Sequence, residues 1–361
     1  MAGIELRAGA AAEIPVLVIG AGQAGLATGY HLARVGIGYR IIDANRRVGD
    51  SWRQRYASLE LFTPRWMSAL PGLAVDGEPD GFSAGGAFAN YLENYAQTFD
   101  IPVENLVRAT RLGRGVGGGL DVETSAGEVI RAGRVVITTG SFQQPVVPTL
   151  ASGFDGSVGS FTTATYRWPA QIEPGTVLVV GDGATGRDIA AELAPTRLVL
   201  LATGRSRKLL PEKIFGRSTW GWLSRLGLMG ASSASSIGRL MRRADPFPDR
   251  DRRIGALRRK GVRIKPRLVG AQGNLASFAD GSTEPVSSVV WAVGYRDDTD
   301  WVDIPGASVD RSFIHARGIS PVEGLFFVGR PWQRNRASAL VHGAGADAAE
   351  IVKAMVGGAR R

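Results

Sequence analysis

Three glycines, Gly20, Gly22 and Gly25, are the first residues of this chain whose spacing suits them to chemistry. They lie in Gly20-Ala21-Gly22-Gln23-Ala24-Gly25, after an apolar run at 14–19 and before a helical pattern through Leu32 and Ala33. Gly20 permits a tight turn out of the strand, Gly22 leaves room for a pyrophosphate, and Gly25 lets the helix pack closely on the strand. Gln23 and Ala24 open that helix, whose free N–H groups and partial positive charge then face the phosphates. The next strand, 38–42, ends at Asp43, 18 residues after Gly25. An acid about 20 residues on is expected to take a ribose hydroxyl. A plain glycine-rich turn followed by a surface aspartate is the alternative.

The pattern occurs a second time, as Gly181-Asp182-Gly183-Ala184-Thr185-Gly186, after the apolar strand 177–180 and before a helix through Ala190, Ala191 and Leu193. Gly181, Gly183, Thr185 and Gly186 are therefore a second set of dinucleotide-binding candidates. Here the following strand, 197–202, ends without an acid and runs into Thr203-Gly204-Arg205-Ser206-Arg207-Lys208. A carboxylate there would pair with a 2′-hydroxyl and repel a 2′-phosphate, whereas arginine does the reverse. NADPH is expected over NADH, held by Arg205 with Arg207 or Lys208 in support. A solvated basic turn is the alternative.

The elements that position these loops follow from pattern. Strand, glycine turn and helix recur in the same order, a repeat of one supersecondary unit. Between the copies, Tyr91, Leu92, Tyr95 and Phe99 mark a helix at 88–99. Residues 120–124 and 129–136 read as a hairpin around Ala126-Gly127, and the glycine-rich stretch 111–120 as a mobile turn. Residues 144–148 read as a linker and 231–236 as a loop. Further strands are expected at 275–278, 286–293 and 324–329, with a turn at Asp280-Gly281, and a closing helix at 339–355. The simplest layout is α/β, with a first unit made of 1–148 and 292–361 and a second unit, 149–291, inserted into it.

Composition bounds the chemistry. A chain of 361 residues with 44% hydrophobic and 21% charged residues suits about two globular domains. The absence of cysteine removes disulfides, redox CxxC pairs and thiolate metal sites together. Three scattered histidines (His31, His315, His342) argue against a histidine metal site, and no metal is expected. The formal charge of +10 comes with only five lysines, so arginine dominates. That bias suits anionic ligands, but no nucleic-acid motif accompanies it. No apolar run reaches the roughly 20 residues that span a bilayer, and the first residues lack a signal-peptide pattern. A cytoplasmic protein without membrane or nucleic-acid partners is expected; a homodimer is compatible with the sequence.

Several longer segments carry a resemblance. Gly49-Asp50-Ser51-Trp52-Arg53-Gln54-Arg55-Tyr56, Leu61-Phe62-Thr63-Pro64 and Leu70-Pro71-Gly72 follow the first unit's second strand. Val136-Ile137-Thr138-Thr139-Gly140 and Trp291-Ala292-Val293-Gly294-Tyr295 end two crossing strands. Phe327-Val328-Gly329-Arg330-Pro331-Trp332-Gln333 and Ser338-Ala339-Leu340 precede the last helix. Over residues 14–352 the chain resembles the flavin-containing monooxygenase group of class B flavoproteins, in its compact bacterial form.

The resemblance implies two Rossmann-like dinucleotide-binding domains of three layers each, in a glutathione-reductase-like topology. It places FAD on the first unit and NADPH on the inserted one. It also implies that Trp52 and Arg53 lie at the flavin with Gly140 and Gly329, that the last helix points its N-terminus at the flavin pyrimidine, and that Trp332 and Gln333 are the nearest candidates for a catalytic role. A helix dipole there stabilises the negative charge of reduced flavin. The implied reaction is insertion of one oxygen atom from O2 into a small organic substrate, by N- or S-oxygenation or a Baeyer–Villiger step, through a C4a-(hydro)peroxyflavin. The cluster Trp220, Trp222, Leu223, Leu226 and Met229 could cover a substrate pocket, or simply pack a helix on the second unit.

Two positions depart from the family. Its Phe-x-Gly-x-x-x-His fingerprint matches at Phe154 and Gly156, but Ser160 or Thr162 stands where the histidine belongs. Arg330 follows Gly329 where many flavoproteins place an acid. An NADPH oxidase or dehydrogenase without oxygen transfer therefore stays open, as does a non-catalytic flavin-binding module.

Overall fold

A computed structural model describes residues 13–204, 209–244 and 247–358. Arg205 and Arg207, expected at the second nucleotide, lie outside the described residues, as does Lys208. The chain begins with strand β1 (Ile14–Ile19), helix α1 (Gln23–Arg34) and strand β2 (Tyr39–Asp43). Helix α2 (Gly85–Thr98) follows, then β3 (Val103–Asn105), β4 (Ala109–Arg114), β5 (Leu120–Thr124) and β6 (Val129–Ile137). The stretch expected to be a mobile turn from 111 is thus partly strand. Leu112 is buried, and its N–H donates to the Trp301 carbonyl at 2.8 Å, so the glycine turn is confined to 115–119.

The second sheet is built from β7 (Gly159–Thr162), β8 (Thr176–Val180), helix α3 (Ala184–Leu193) and β9 (Leu198–Ala202). Helices α4 (Thr219–Arg225) and α5 (Ser236–Ala244) come next, then β10 (Arg263–Lys265). A three-stranded antiparallel sheet, β11 (Leu268–Gln272), β12 (Leu275–Phe278) and β13 (Thr283–Pro285), precedes β14 (Ser288–Trp291). The chain then returns as β15 (Leu325–Phe327) and helix α6 (Val341–Gly358).

Two sheets result. The first has the order β3-β2-β1-β6-β5-β4, and the second β10-β9-β8-β14-β7 with every pairing parallel. Strand β6 pairs with β1 along one edge. Its other edge is shared, with β5 on 129–132 and the returning β15 on 135–137. The first sheet therefore uses residues before and after the second, and every strand of the second falls within 149–291.

The apolar strands alternate as a sheet covered on both faces requires. Val16 and Val18 pack with α1, α2 and α6, while Leu17 and Ile19 pack on the opposite face with Val122, Ile304 and Phe327. In the second sheet Val177 and Val179 face Ile189 and Leu193 of α3, and Leu178 and Val180 face Phe278 and Trp291. The fold is that of two Rossmann-like units. The expected linker at 144–148 is zipped to the other crossing chain, because Gln144–Pro145 pairs antiparallel with Tyr295–Arg296.

Candidate functional site

Both glycine loops form the same structure for the same reason. Gly20 and Gly181 adopt φ of 106° and 104°, a left-handed region that L side chains rarely enter. A Cβ on Gly25 would stand 1.8 Å from the Gly20 carbonyl oxygen, and one on Gly186 would stand 1.9 Å from that of Gly181. These third glycines are demanded by the fold itself. Gly22 and Gly183 differ, since nothing lies within 4 Å of where their Cβ would be. The protein's own packing does not explain them; a ligand backing onto the chain does. Each caps its helix without a side-chain acceptor, so the first N–H groups of α1 and α3 are free for an anion. Thr185 is half-buried in the first turn of α3.

Asp43 stands at the end of β2, buried, and accepts the Ala21 N–H at 2.6 Å and the Asn45 N–H at 2.7 Å. It fixes the first loop and presents its carboxylate at the loop's edge. In the second unit the acid belongs to the loop itself. Asp182 accepts the Gly204 N–H at 3.2 Å beyond β9, and Arg187 of α3 pairs with it at 3.0 Å.

Around the first loop the structure gathers several expected residues. Trp52 Nε1–H donates to Gln23 Oε1 at 3.2 Å, and its ring stands edge-on to Phe88. A Cβ on Gly329 would meet the Ala24 methyl at 2.9 Å, so the end of β15 touches the start of α1. Gly140, with φ of 70°, offers its carbonyl to Arg330 Nη1 at 2.9 Å and to Gln143 Nε2 at 2.7 Å.

Two of the candidates are engaged by the protein itself. The Arg53 guanidinium is taken up by the Val48 carbonyl, Asp50, Asn90 and Glu93, which makes it the tie of its own segment to α2. Gln333 is buried, with Oε1 accepting the Arg330 N–H at 3.2 Å and Nε2 donating to the Phe327 carbonyl at 3.0 Å. Both amide atoms clamp the turn after β15. Trp332, at the tip of that turn, adopts φ of 57° with the Arg336 guanidinium 5.8 Å from its ring centre. Helix α6 begins at Val341, two residues later than expected. Asn335 and Ser338 form a capping box that folds 336–339 into a 3-10 turn first.

Arg330, the departure at the family's acidic position, bonds to Asp297 beyond the second crossing strand. With its bond to Gly140, it ties the two crossing chains to β15. Sequence reading missed this and a neighbouring knot. The Tyr295 hydroxyl accepts from Arg55 Nη1 at 2.8 Å and from Thr163 at 2.7 Å, with the Arg55 guanidinium over Phe142. It also missed Tyr56, whose hydroxyl donates to Asp188 of α3 at 3.1 Å. Burial pushes the Tyr56 hydroxyl well above its ordinary pKa, and the Asp188 charge adds to that. The bonds of Arg55 and Thr163 to Tyr295, and of Tyr56 to Asp188, join residues more than 100 apart in the chain, beyond the reach of local patterns.

The aromatic cluster of the insert crosses to the first unit. Trp220, Leu223 and Met229 are buried with Met67, Ala337 and Leu340, and Trp220 Nε1–H donates to the Phe62 carbonyl at 2.8 Å. Leu226, expected in this cluster, is exposed instead. A cavity of about 310 Å³ lies beside it, lined by Ser224, Met229, Asn335, His342 and Asp347. Burial raises the Asp347 carboxyl above its ordinary value, opposed by bonds from Ser338 and Arg334.

Paired glycine loops on two joined Rossmann-like units define the class, a flavoprotein-type oxidoreductase. The family model described as pyridine nucleotide-disulphide oxidoreductase matches residues 17–208. An oxidoreductase of Geobacillus kaustophilus described as CzcO-like is 41% identical over 94% of this chain and 97% of its own length. A probable indole-3-pyruvate monooxygenase of Arabidopsis thaliana, YUCCA9, is 28% identical over 78% of this chain and 74% of its own. The solved flavin-containing monooxygenase of Stenotrophomonas maltophilia superposes with a TM-score of 0.80 at 23% identity, covering 96% and 99% of the two chains. The chain belongs to the pyridine nucleotide-disulphide oxidoreductase family, in its flavin-containing monooxygenase-like group, and is an oxidoreductase. Among the described residues no helix is long and apolar enough to cross a membrane.

Proposed function

We propose that the chain is an NADPH-dependent FAD monooxygenase acting on a small organic molecule S, by NADPH + H⁺ + O2 + S → NADP⁺ + H2O + SO. The observation that carries this reading is the pair of open glycines, Gly22 and Gly183. Each is backed by a jammed glycine and an uncapped helix, so two separate loops fit a diphosphate. On this reading 1–148 with 292–361 binds FAD and 149–291 binds NADPH. When bound, FAD supplies the redox chemistry, accepting a hydride and activating O2.

The chain's own part is to bind, orient and exclude water. The N-terminus of helix α1 would hold the FAD diphosphate, and Asp43, fixed by the Ala21 N–H, would take the ribose. Trp52, locked by Gln23 and Phe88, walls the first loop. Helix α3 and the Asp182–Arg187 pair shape the NADPH loop, and Arg205 with Arg207 favours the 2′-phosphate. The crossing chains, tied by Arg330–Asp297 and by Tyr295, fix the two loops relative to each other. The cavity at Met229, His342 and Asp347 is the candidate substrate chamber. Without cysteine, the chain has no thiol for the disulfide exchange in the family's name.

Anaerobic reduction with NADPH, then mixing with O2, tests the reading. A long-lived oxygenated species that is consumed when a substrate is added supports it. Immediate reoxidation with one H2O2 per NADPH replaces it with an oxidase, and failure of NADPH to reduce the flavin leaves a binding module. NADH working as well as NADPH overturns the role of Arg205 alone.

A further inference from the structure

Residues 213–244 differ in charge from the rest of the chain. Acidic side chains number 33 overall, yet none occurs between Glu212 and Asp245, where Lys213, Arg217, Arg225, Arg239, Arg242 and Arg243 all lie. The same stretch keeps four large apolar side chains in water: Phe215, Leu226, Ile237 and Leu240, at 94%, 66%, 52% and 67% exposure.

Helix α5 shows how the two properties combine. Gly238 is buried against the Ser232 carbonyl, and Met241 packs on the cluster around Trp220. That side faces the protein. Ile237 and Leu240, three residues apart, continue the apolar sector past the protein's edge into water. Arg239, Arg242 and Arg243 occupy the remaining circumference and are exposed. The helix is amphipathic, yet its own fold covers only half of its apolar sector.

Phe215 gives a second, independent sign. It sits at the tip of a two-residue hairpin turn between Lys213–Ile214 and Arg217–Ser218, with φ of 50°. Such a turn favours asparagine or glycine there, and a phenylalanine in this conformation is strained. The hairpin holds a ring in water at a position where a small polar residue would suit the backbone better.

We propose that residues 213–244 form a docking face for the surface of an anionic phospholipid bilayer. Interfacial binding combines apolar side chains reaching the acyl boundary with basic side chains at anionic headgroups, and this stretch supplies both with no acid to oppose them. A nucleic acid would use the arginines but has no place for the exposed aliphatic Ile237 and Leu240. The expectation of no membrane partner came from the absence of a spanning segment, which a surface contact does not need.

The test is sedimentation of the purified holoenzyme with vesicles of phosphatidylcholine alone or mixed with phosphatidylglycerol. Binding is expected to the mixed vesicles, to weaken as salt shortens the screening length, and to be near background on phosphatidylcholine. I237S/L240S and R242E/R243E should each lower it by about tenfold or more. R258E/R259E, a basic pair outside the stretch, should leave it unchanged, with melting curves showing that all three variants fold. No sedimentation of the wild type overturns the proposal. So does equal loss in R258E/R259E, or full binding by I237S/L240S, since either means that net charge alone attracts the vesicle. Retention on an oligonucleotide without retention on vesicles overturns it in favour of a nucleic acid.

Discussion

Arg187 and Asp182 form an ion pair 3.0 Å long inside the second glycine loop, with both side chains withdrawn from water. Arg187 Nε–H also donates to the Asp182 carbonyl at 2.8 Å, and Nη1–H to the Arg252 carbonyl at 2.8 Å. One arginine thus closes the loop, neutralises an acid within it and anchors the segment that packs behind it. On the proposed reading, the acid would otherwise repel the phosphates of NADPH.

Removing the arginine alone should therefore be severe. Arg187→Met leaves the Asp182 carboxylate buried without its partner, a change that costs about 3–5 kcal/mol. A lower melting midpoint is expected, together with loss of NADPH reduction while FAD is retained. The double variant Arg187→Met/Asp182→Ala should recover part of the stability, and a single variant that melts like the wild type would count against the pair.

The glycines separate folding from binding. Gly22→Val places a side chain where the protein has open space, so melting of the flavin-free protein should change little while FAD is no longer retained. Gly183→Val should keep FAD and lose NADPH reduction. Gly25→Ala, whose Cβ would stand 1.8 Å from a carbonyl oxygen, should fail to fold stably in either form. Intact NADPH kinetics in Gly183→Val would falsify the assignment of the second loop.

Asp43 joins both roles. Asp43→Ala removes a charged acceptor from the Ala21 N–H, worth about 1.5–3 kcal/mol. Flavin content after gel filtration should fall, and the melting midpoint with it. Asp43→Asn keeps an acceptor and should lie between. Full flavin content in the alanine variant would remove Asp43 from the site.

Stability should fall on acidification. Burial holds His31, His315 and His342 below the ordinary 6.5, and the Arg330 charge adds to this at His315. The unfolded chain then binds protons more readily just below that pH, so the histidine contribution is complete above 6.5 and is lost as pH drops through the folded values. Asp347 acts in the opposite sense, because its raised value makes the folded state the better proton acceptor above 3.8. The melting midpoint should decline as pH falls from neutral, less in His342→Gln and more steeply in Asp347→Asn. A profile that stays level through pH 6.5 would exclude the histidine contribution.

What the sequence displayed divides by range. Continuous apolar runs and glycine spacing are local, so the six residues of β1 and the five of β2 could be read to within a residue. The resemblance placed Gly329 at the flavin, but its contact with Ala24 was not foreseen, since nothing near either residue signals it. Arg53 and Gln333 were candidates by position, and only their partners show them holding backbone. The strand at 109–114 was hidden because Arg111, Gly113 and Arg114 look like turn residues, and pairing with β5 overrode that preference. The bonds at Tyr295 and Asp188 depend on how the two units meet, which composition and periodicity do not encode.

The shared edge of β6 has a consequence for the order in which the chain acquires its shape. As the chain is synthesised, every strand of the second sheet has been made by residue 291, whereas the first sheet waits for β15 at 325–327. Until α6 follows, Val16, Val18 and the inner face of α1 lack Ala344, Ala348, Ile351 and Met355. The unit whose glycine loop is made first is thus the last to close, and it closes around an inserted unit whose sheet is already complete.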